Sequence, residues 1–265
     1  MFAKVALVTD GGFYYLALGG GRYRSTEHTA GAWATDQQHM GPVSGLLTEA
    51  IERHSDRGDL LTSRIAFDIL GVIPSGEVEI SVSVIRPGRT IELVEAEMHA
   101  GGRAVVRATA WRLATTDTAD LAATGIDRLT GPESAVRWPG SEVWDGGFIR
   151  SLDIRQLPGW RPGRGQVWIR TATTLIDGEP SCPLADFMAV VDTANGIAVR
   201  TDPADLLFPN TDLTVHLFRR PGGAWLGLDT TVSFGADGVG LTASVLHDET
   251  GPVGRAAQTL TLRRR

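Results

Sequence analysis

Asp192 stands near the end of "CPLADFMAVVDTANG", a segment that begins at Cys182 and reads as a helix ending at its glycine. Leu184, Phe187, Met188 and Val191 fall at i, i+3, i+4 and i+7 and make one apolar stripe. Asp186 points away from that stripe, toward solvent, whereas Asp192 sits at its edge beside Met188. Carboxylates are seldom buried without a partner. Asp192 is therefore either a cap at the helix end or an acid placed for chemistry. Ionised and within hydrogen-bond reach of a water, it would serve as a general base.

Other reactive side chains offer less. Cys182 is the single cysteine, so no disulfide forms within the chain, and beside Pro183 it reads as a small buried residue rather than a nucleophile. The G-x-S-x-G elbow of a serine hydrolase is absent. The six histidines are dispersed and no Cys pair accompanies them, so no metal site is expected. "GGGRYR" at 19–24 lacks the spacing of a nucleotide loop and reads as a turn. Asp212 and His216 share one face of a strand whose Leu213, Val215 and Leu217 take the core side, so His216 should point outward.

The elements that must position Asp192 occur twice. "GPVSGLLTEAIERH" from Gly41 aligns with the Cys182 segment on Pro42 and Pro183, each opening a helix where a missing N–H costs nothing. The stripe Val43, Leu46, Leu47 and Ala50 then matches Leu184, Phe187, Met188 and Val191. Downstream, Ser63 onward aligns without gaps with Asn210 onward, pairing Pro74 with Pro221 and Gly76 with Gly223. Each is a strand, a Pro–Gly turn and a second strand. Val78, Ile80, Val82 and Val84 alternate with polar residues; Leu226, Leu228, Thr230 and Val232 repeat this more faintly. Two further strands close each unit, and "FYYLALG", "GRYRSTEHTAGAWA", "FIRSLDIRQL" and "QVWIRTATTL" supply strands ahead of the helices. The predicted fold is α+β: two repeats of a long helix wrapped by an antiparallel sheet, residues 1–115 and 146–265, with 116–145 as a linker. The helix over 182–196 is expected to run unbroken to Gly196.

Composition narrows the class. The 265 residues are 42% hydrophobic and 21% charged, ordinary for a soluble globular chain. A net charge of −6 argues against nucleic-acid partners. Lys4 is the only lysine, and the terminal "RRR" reads as a solvated tail. No apolar run is long enough to span a membrane, and "MFAKVALVTDGG" is too short-lived a run for a secretory signal, so a cytoplasmic location is expected.

This doubled arrangement resembles the double hotdog fold of acyl-CoA thioesterases of the bacterial thioesterase II type. "FDILGVIPSGEVEISVSVIRPGRTIELVEAEMHAGGRAVVRATAWR" is similar to the family's first-half strands, and "GQVWIR", the helix to Gly196 and "NTDLTVHLFRRP" to its second half. The resemblance implies hydrolysis of acyl-CoA by an activated water, no cofactor (CoA is part of the substrate) and a homodimer of double hotdogs. It implies a catalytic set of helix Asp, Ser or Thr, and strand Gln. These fall on Asp192, Asn210 and Gln258, and Asn210 departs from the pattern in lacking a hydroxyl, with Thr211 adjacent. "QHMGP" resembles the entrance to the hotdog helix, which gives His39 and Gly41 as substrate-channel residues, with N-terminal capping as the plainer role. Glu49 lies near the position of another branch's acid, one residue late. The repeat adds a test. Ile51 and Ser63 occupy the places of Asp192 and Asn210, and no Gln stands in "RAVVRATAWRL". The scaffold alone therefore does not demand these polar residues. Two further readings stay open: a non-catalytic acyl-CoA-binding or scaffold protein, and an enoyl-CoA hydratase-type hotdog using Asp212 and His216.

Overall fold

A computed structural model of the chain describes residues 12–54 and 57–265. Lys4 and most of the N-terminal run discussed above lie outside the described residues. The first unit contains β1 (Phe13–Gly19), β2 (Arg22–Ser25), α1 (Met40–Arg53), β3 (Leu60–Ile69), β4 (Glu77–Arg86), β5 (Ile91–Ala100) and β6 (Arg103–Ala114). The second contains β7 (Val136–Arg137), α2 (Gly147–Arg150), β8 (Leu152–Gln156), β9 (Arg164–Thr171), β10 (Thr174–Ile176), α3 (Pro183–Val191) and α4 (Ala194–Ile197). It continues with β11 (Leu206–Leu207), β12 (Asp212–Leu217), β13 (Leu226–Phe234), β14 (Val239–Asp248), β15 (Gly251–Thr261) and β16 (Arg263–Arg264).

The described residues form one 14-stranded sheet in the order β10-β1-β2-β4-β5-β6-β3-β12-β15-β14-β13-β9-β8-β7, plus the small pair β11-β16. From the centre outward, β3-β6-β5-β4-β2-β1 on one side mirrors β12-β15-β14-β13-β9-β8 on the other. The two repeats therefore meet along one antiparallel seam, with Ile65 opposite Val215 and Phe67 opposite Leu213. β10, from the second unit, adds in parallel to β1 of the first. The stretch between the repeats is exposed from Thr115 to Gly125, then lays Leu129 against Trp168 and Trp225 and adds β7 to the sheet edge.

The helical stripes are buried as the 3.6-residue period requires: Val43, Leu46, Leu47 and Ile51 on α1, and Phe187, Met188 and Val191 on α3. One apolar core joins both repeats. α1 and α3 pack antiparallel through small residues. A Cβ at Gly41 would lie 2.6 Å from the Ala189 carbonyl oxygen, and one at Gly45 2.8 Å from Ala189 Cβ and 3.1 Å from the Ala185 carbonyl oxygen. Ser44 Oγ donates to the Met188 carbonyl across the same contact. The N-terminus of α1 thus lies beside the C-terminus of α3.

Several elements differ from the sequence reading. The second helix is not continuous to Gly196: α3 stops at Val191, and α4 is a separate turn. At Asp192 the backbone N–H bonds Val190 in place of the carbonyl four residues back, and Thr193 Oγ1 also bonds Val190. α1 begins at Met40, ahead of Pro42, with His39 as its N-cap. Of "GRYRSTEHTAGAWA" only Arg22–Ser25 is strand, and "FIR" at the start of "FIRSLDIRQL" belongs to the helical turn α2. On β4, Val78 and Ile80 are buried but Val84 is 36% exposed, so the alternation outruns the helix that covers it.

Candidate active site

Where α1 begins and α3 ends, a cavity of about 740 Å³ opens. Its wall is mostly apolar and aromatic, including Trp33, Ile73, Trp138, Trp144, Ile149 and Ile154. Trp33, Trp144 and Phe208 meet edge to face, with ring centroids 5.1 to 5.6 Å apart. Trp144 Nε1 is satisfied by the Gly196 carbonyl, 2.9 Å away, which leaves its ring to form wall.

Asp192 lies in this wall and is only 3% exposed. Its Oδ1 accepts two amide donors, Asn210 Nδ2 and Gln258 Nε2, each at 2.8 Å. Gln258 Nε2 also lies 3.4 Å from the Asp192 carbonyl oxygen. Burial pushes the carboxyl up to about 7, against the two amide hydrogen bonds, which favour the charged form. Desolvation wins because neither amide brings a full charge. Asp192 occupies the C-cap of α3, and it is a buried acid exposed to a cavity on one side.

His39 stands across from it, with Nδ1 3.5 Å from Asp192 Oδ2. That contact is not an ion pair. His39 Nδ1 accepts the Gly41 N–H at 3.0 Å, which assigns the ring proton to Nε2, and burial lowers its pKa to about 3. The ring packs on Phe148, centroids 4.3 Å apart. His39 and Met40 both line the cavity. Gly41 stands behind them, its Cα facing Ala189 and Phe148 in the helix contact and its N–H taken by the His39 cap.

The five residues singled out in sequence therefore fall within one region, in different positions. Asp192, Asn210 and His39 line the cavity. Gln258, 1% exposed, reaches Asp192 from the sheet beneath. Asn210, not Thr211, contacts the carboxylate; Thr211 N–H bonds the Thr259 carbonyl. Glu49 is elsewhere and differently employed. Its Oε2 accepts the Cys182 N–H at the start of α3 and its Oε1 binds Arg53. Cys182 Sγ accepts the Ala185 N–H, and burial pushes the thiol up to about 12, the opposite of an activated nucleophile. Asp212 Oδ1 accepts the Thr259 N–H and His216 is exposed, both on the face of β12 opposite the buried Leu213, Val215 and Leu217, and neither lines the cavity.

Sequence reasoning missed two parts of the wall. The tail read as solvated is not free: Arg263–Arg264 pair with Leu206–Leu207 as β16, and Arg263 and Arg265 line the cavity. Trp33, Trp138 and Trp144 come from loops with no periodicity to flag them. Among the described residues no group of His, Cys, Asp and Glu is arranged to hold a metal ion, and no helix is long and apolar enough to cross a membrane.

No curated protein sequence is a significant match to the chain. Among solved structures, a protein assigned as thioesterase II from Thermobifida fusca is similar over 94% of this chain and 95% of its own, at 18% identity and a TM-score of 0.71. A hot dog fold protein of unknown function from Alicyclobacillus acidocaldarius covers the same shares at 13% identity and a TM-score of 0.74. An acyl-CoA thioesterase II of Mycobacterium marinum matches over 95% of both chains at 16% identity and a TM-score of 0.67. These likenesses show the hotdog fold. Two family models match along the sequence itself, the acyl-CoA thioesterase N-terminal domain over residues 29–113 and the acyl-CoA thioesterase C-terminal domain over residues 132–262. With both domains present in tandem over most of its length, the chain belongs to the acyl-CoA thioesterase family.

Proposed function

We propose that this protein hydrolyses acyl-CoA thioesters to a free acid and CoA, with Asp192 as general base. The observation that carries the reading is the asymmetry of the Asp192 carboxylate. Oδ1 is held by two amide donors, while Oδ2 is turned toward His39 on the cavity side. In the ionised state, Oδ2 accepts a proton from a water, and the hydroxide oxygen bonds to the thioester carbonyl carbon. The C–S bond then breaks, and the CoA thiolate takes a proton from Asp192 or from solvent. In the first turn of α1 the His39 N–H bonds Thr29, the Gly41 N–H is held by the His39 ring and Pro42 has none, which leaves the Met40 N–H; with His39 Nε2–H it is a donor suited to the developing oxyanion. Asn210 serves where the family pattern has a hydroxyl. Its amide fixes the base instead of the water. The apolar and aromatic wall suits an acyl chain, and Arg263 and Arg265 offer cations to the phosphates of CoA.

Thiol release from a panel of acyl-CoAs tests this. Wild type should exceed buffer clearly, and Asp192→Asn should fold normally yet fall by about 10²-fold or more, the usual scale for a positioned base. Because the ionised form is the base, kcat/KM should fall on the acid side with a midpoint near pH 7, the value to which burial pushes Asp192. Buffer-level release by wild type would favour the acyl-CoA-binding reading, for which the absent hydroxyl at Asn210 speaks. Equal rates for wild type and Asp192→Asn would move the base elsewhere.

A further inference from the structure

Beneath Asp192 the sheet carries a row of buried polar side chains that the apolar core does not need. Thr230, Thr242, Ser244 and Gln258 are all at most 4% exposed and project inward from β13, β14 and β15. In the first repeat the buried positions of β5 and β6 include Val94, Ala96, Met98, Ala108 and Ala110, and their one buried polar pair, Glu92 and Arg112, is an ion pair. Thr230 and Ser244 satisfy each other, with their hydroxyls 2.7 Å apart. Thr242 and Gln258 do not. They stand directly opposite each other in the β14–β15 ladder, so their side chains share a face. Thr242 Oγ1 and Gln258 Oε1 are both fully buried without a hydrogen-bond partner among the described residues. Two neighbouring buried polar atoms, one able to donate and one able only to accept, are complementary in the way that buried groups normally resolve.

We propose that Thr242 is a positioning residue: its hydroxyl donates to Gln258 Oε1, directly or through one buried water, and so keeps Gln258 Nε2 turned toward Asp192. The amide has two orientations of nearly equal shape. In one, Nε2 faces Asp192 Oδ1, as observed at 2.8 Å. In the other, Oε1 faces the carboxylate, where two acceptors meet and only a protonated Asp192 is tolerated. The Thr242 hydroxyl can accept as well as donate, but among the described residues its proton has no other acceptor; in the flipped amide that proton would go unmet and the amide oxygen would face the acid, so the first orientation is favoured. The proposal rests on the reading of Asp192 as the base. The groups that face the carboxylate are Asn210 from the turn before β12, Gln258 from β15 and His39 from the start of α1, and His39 is the titratable one. His39 is unchanged by substitution at Thr242, so a change at Asp192 reports on the amide.

The test is a ¹³C NMR titration of the Asp192 carboxyl in the full chain, alongside kcat/KM against pH. Thr242→Val keeps shape and removes the donor; Thr242→Ser restores it. Expected is an upward displacement of the Asp192 midpoint by about half a pH unit or more in Thr242→Val. The acid limb of kcat/KM should move with it, and the rate at pH 7 should fall about 3- to 10-fold with KM little changed. Thr242→Ser should titrate as wild type. Gln258→Ala should abolish the effect, so that adding Thr242→Val to it changes nothing further. The proposal is overturned if Thr242→Val leaves the midpoint in place, if Thr242→Ser is as perturbed as Thr242→Val, or if the Thr242→Val shift persists without Gln258. The titration needs no turnover. If wild type proves inactive on acyl-CoA, the hydrolase reading fails while the amide's orientation is still decided.

Discussion

An acid that titrates near neutrality makes the site expensive to keep charged. Asp192 sits at about 7 in the fold against an ordinary value of 3.8, so between those values the native state binds more protons than the unfolded chain. Stability contributed by the neutral carboxyl is present at low pH, declines as pH rises from about 4 to about 7, and stays lost above that. The upper bound is ~4 kcal/mol, and solvent relaxation will reduce it. Asp192→Asn keeps the oxygen that Asn210 and Gln258 address and removes the charge. Its Tm should therefore exceed that of wild type by several degrees at pH 8, with the gap closing by about pH 4, measured by thermal scans across pH. His39 acts in the opposite sense. Its lowered pKa costs stability only as pH falls below its ordinary 6.5, so the comparison at pH 8 isolates Asp192. Asp192 was legible in sequence because it flanks the apolar stripe and its counterpart is Ile51. Asn210 and Gln258 were reachable only through family resemblance. Nothing local marks Thr242, whose meaning depends on which residue it faces across a ladder.

The two helices are arranged reciprocally. Glu49, near the end of α1, caps the start of α3, and Asp192, at the end of α3, stands at the start of α1 beside its N-cap His39. Each helix thus offers a carboxylate to the positive end of the other. Arg53 closes the Glu49 end, bridging Glu49, Glu179 and the Pro180 carbonyl, whereas the Asp192 end opens into the cavity. The spacing of that contact depends on Gly41. Replacing a glycine in a helix interior by alanine ordinarily stabilises by about 0.5–1 kcal/mol, an upper limit for Gly41 in the first turn of α1. Here the added carbon would press on the Ala189 carbonyl and the Phe148 ring, both near 2.6 Å, and overpacking of this kind costs about 1–3 kcal/mol. The clash outweighs the propensity gain, so Gly41→Ala should lower Tm and, by moving His39 off Asp192, lower kcat as well. An unchanged or raised Tm would show that the helices separate freely. The prolines, the stripes and the Pro–Gly turns made both helices and their following strands readable in advance. The break at Asp192 was not, because no glycine or proline marks it; the contacts to the carbonyls there, Ser44 Oγ to Met188 and Gln258 Nε2 to Asp192, are long-range.

At the scale of the whole chain, the pairing order of the strands places the two repeats symmetrically about the β3–β12 seam. Repetition in the sequence foretold two similar units. It did not foretell that β10 would cross to the first unit's edge, or that loops from both units would share one cavity wall, since such contacts leave no periodic trace. The candidate site draws His39 from the first repeat and Asp192, Asn210 and Gln258 from the second, so neither repeat holds it alone. The covalent connection between them runs through an exposed stretch, 115–125, outside both family-matched regions. That stretch acts as a tether: it sets the local concentration of one half around the other and makes assembly independent of dilution. A protease site inserted between Ala122 and Gly125 should turn the protein into a two-chain complex that keeps its activity at micromolar concentration, held by the seam and the shared core. On dilution the cut form should lose activity progressively while the intact chain does not. Dilution curves that coincide would mean the seam alone is strong enough, and that fusion of the repeats confers no assembly advantage in this protein.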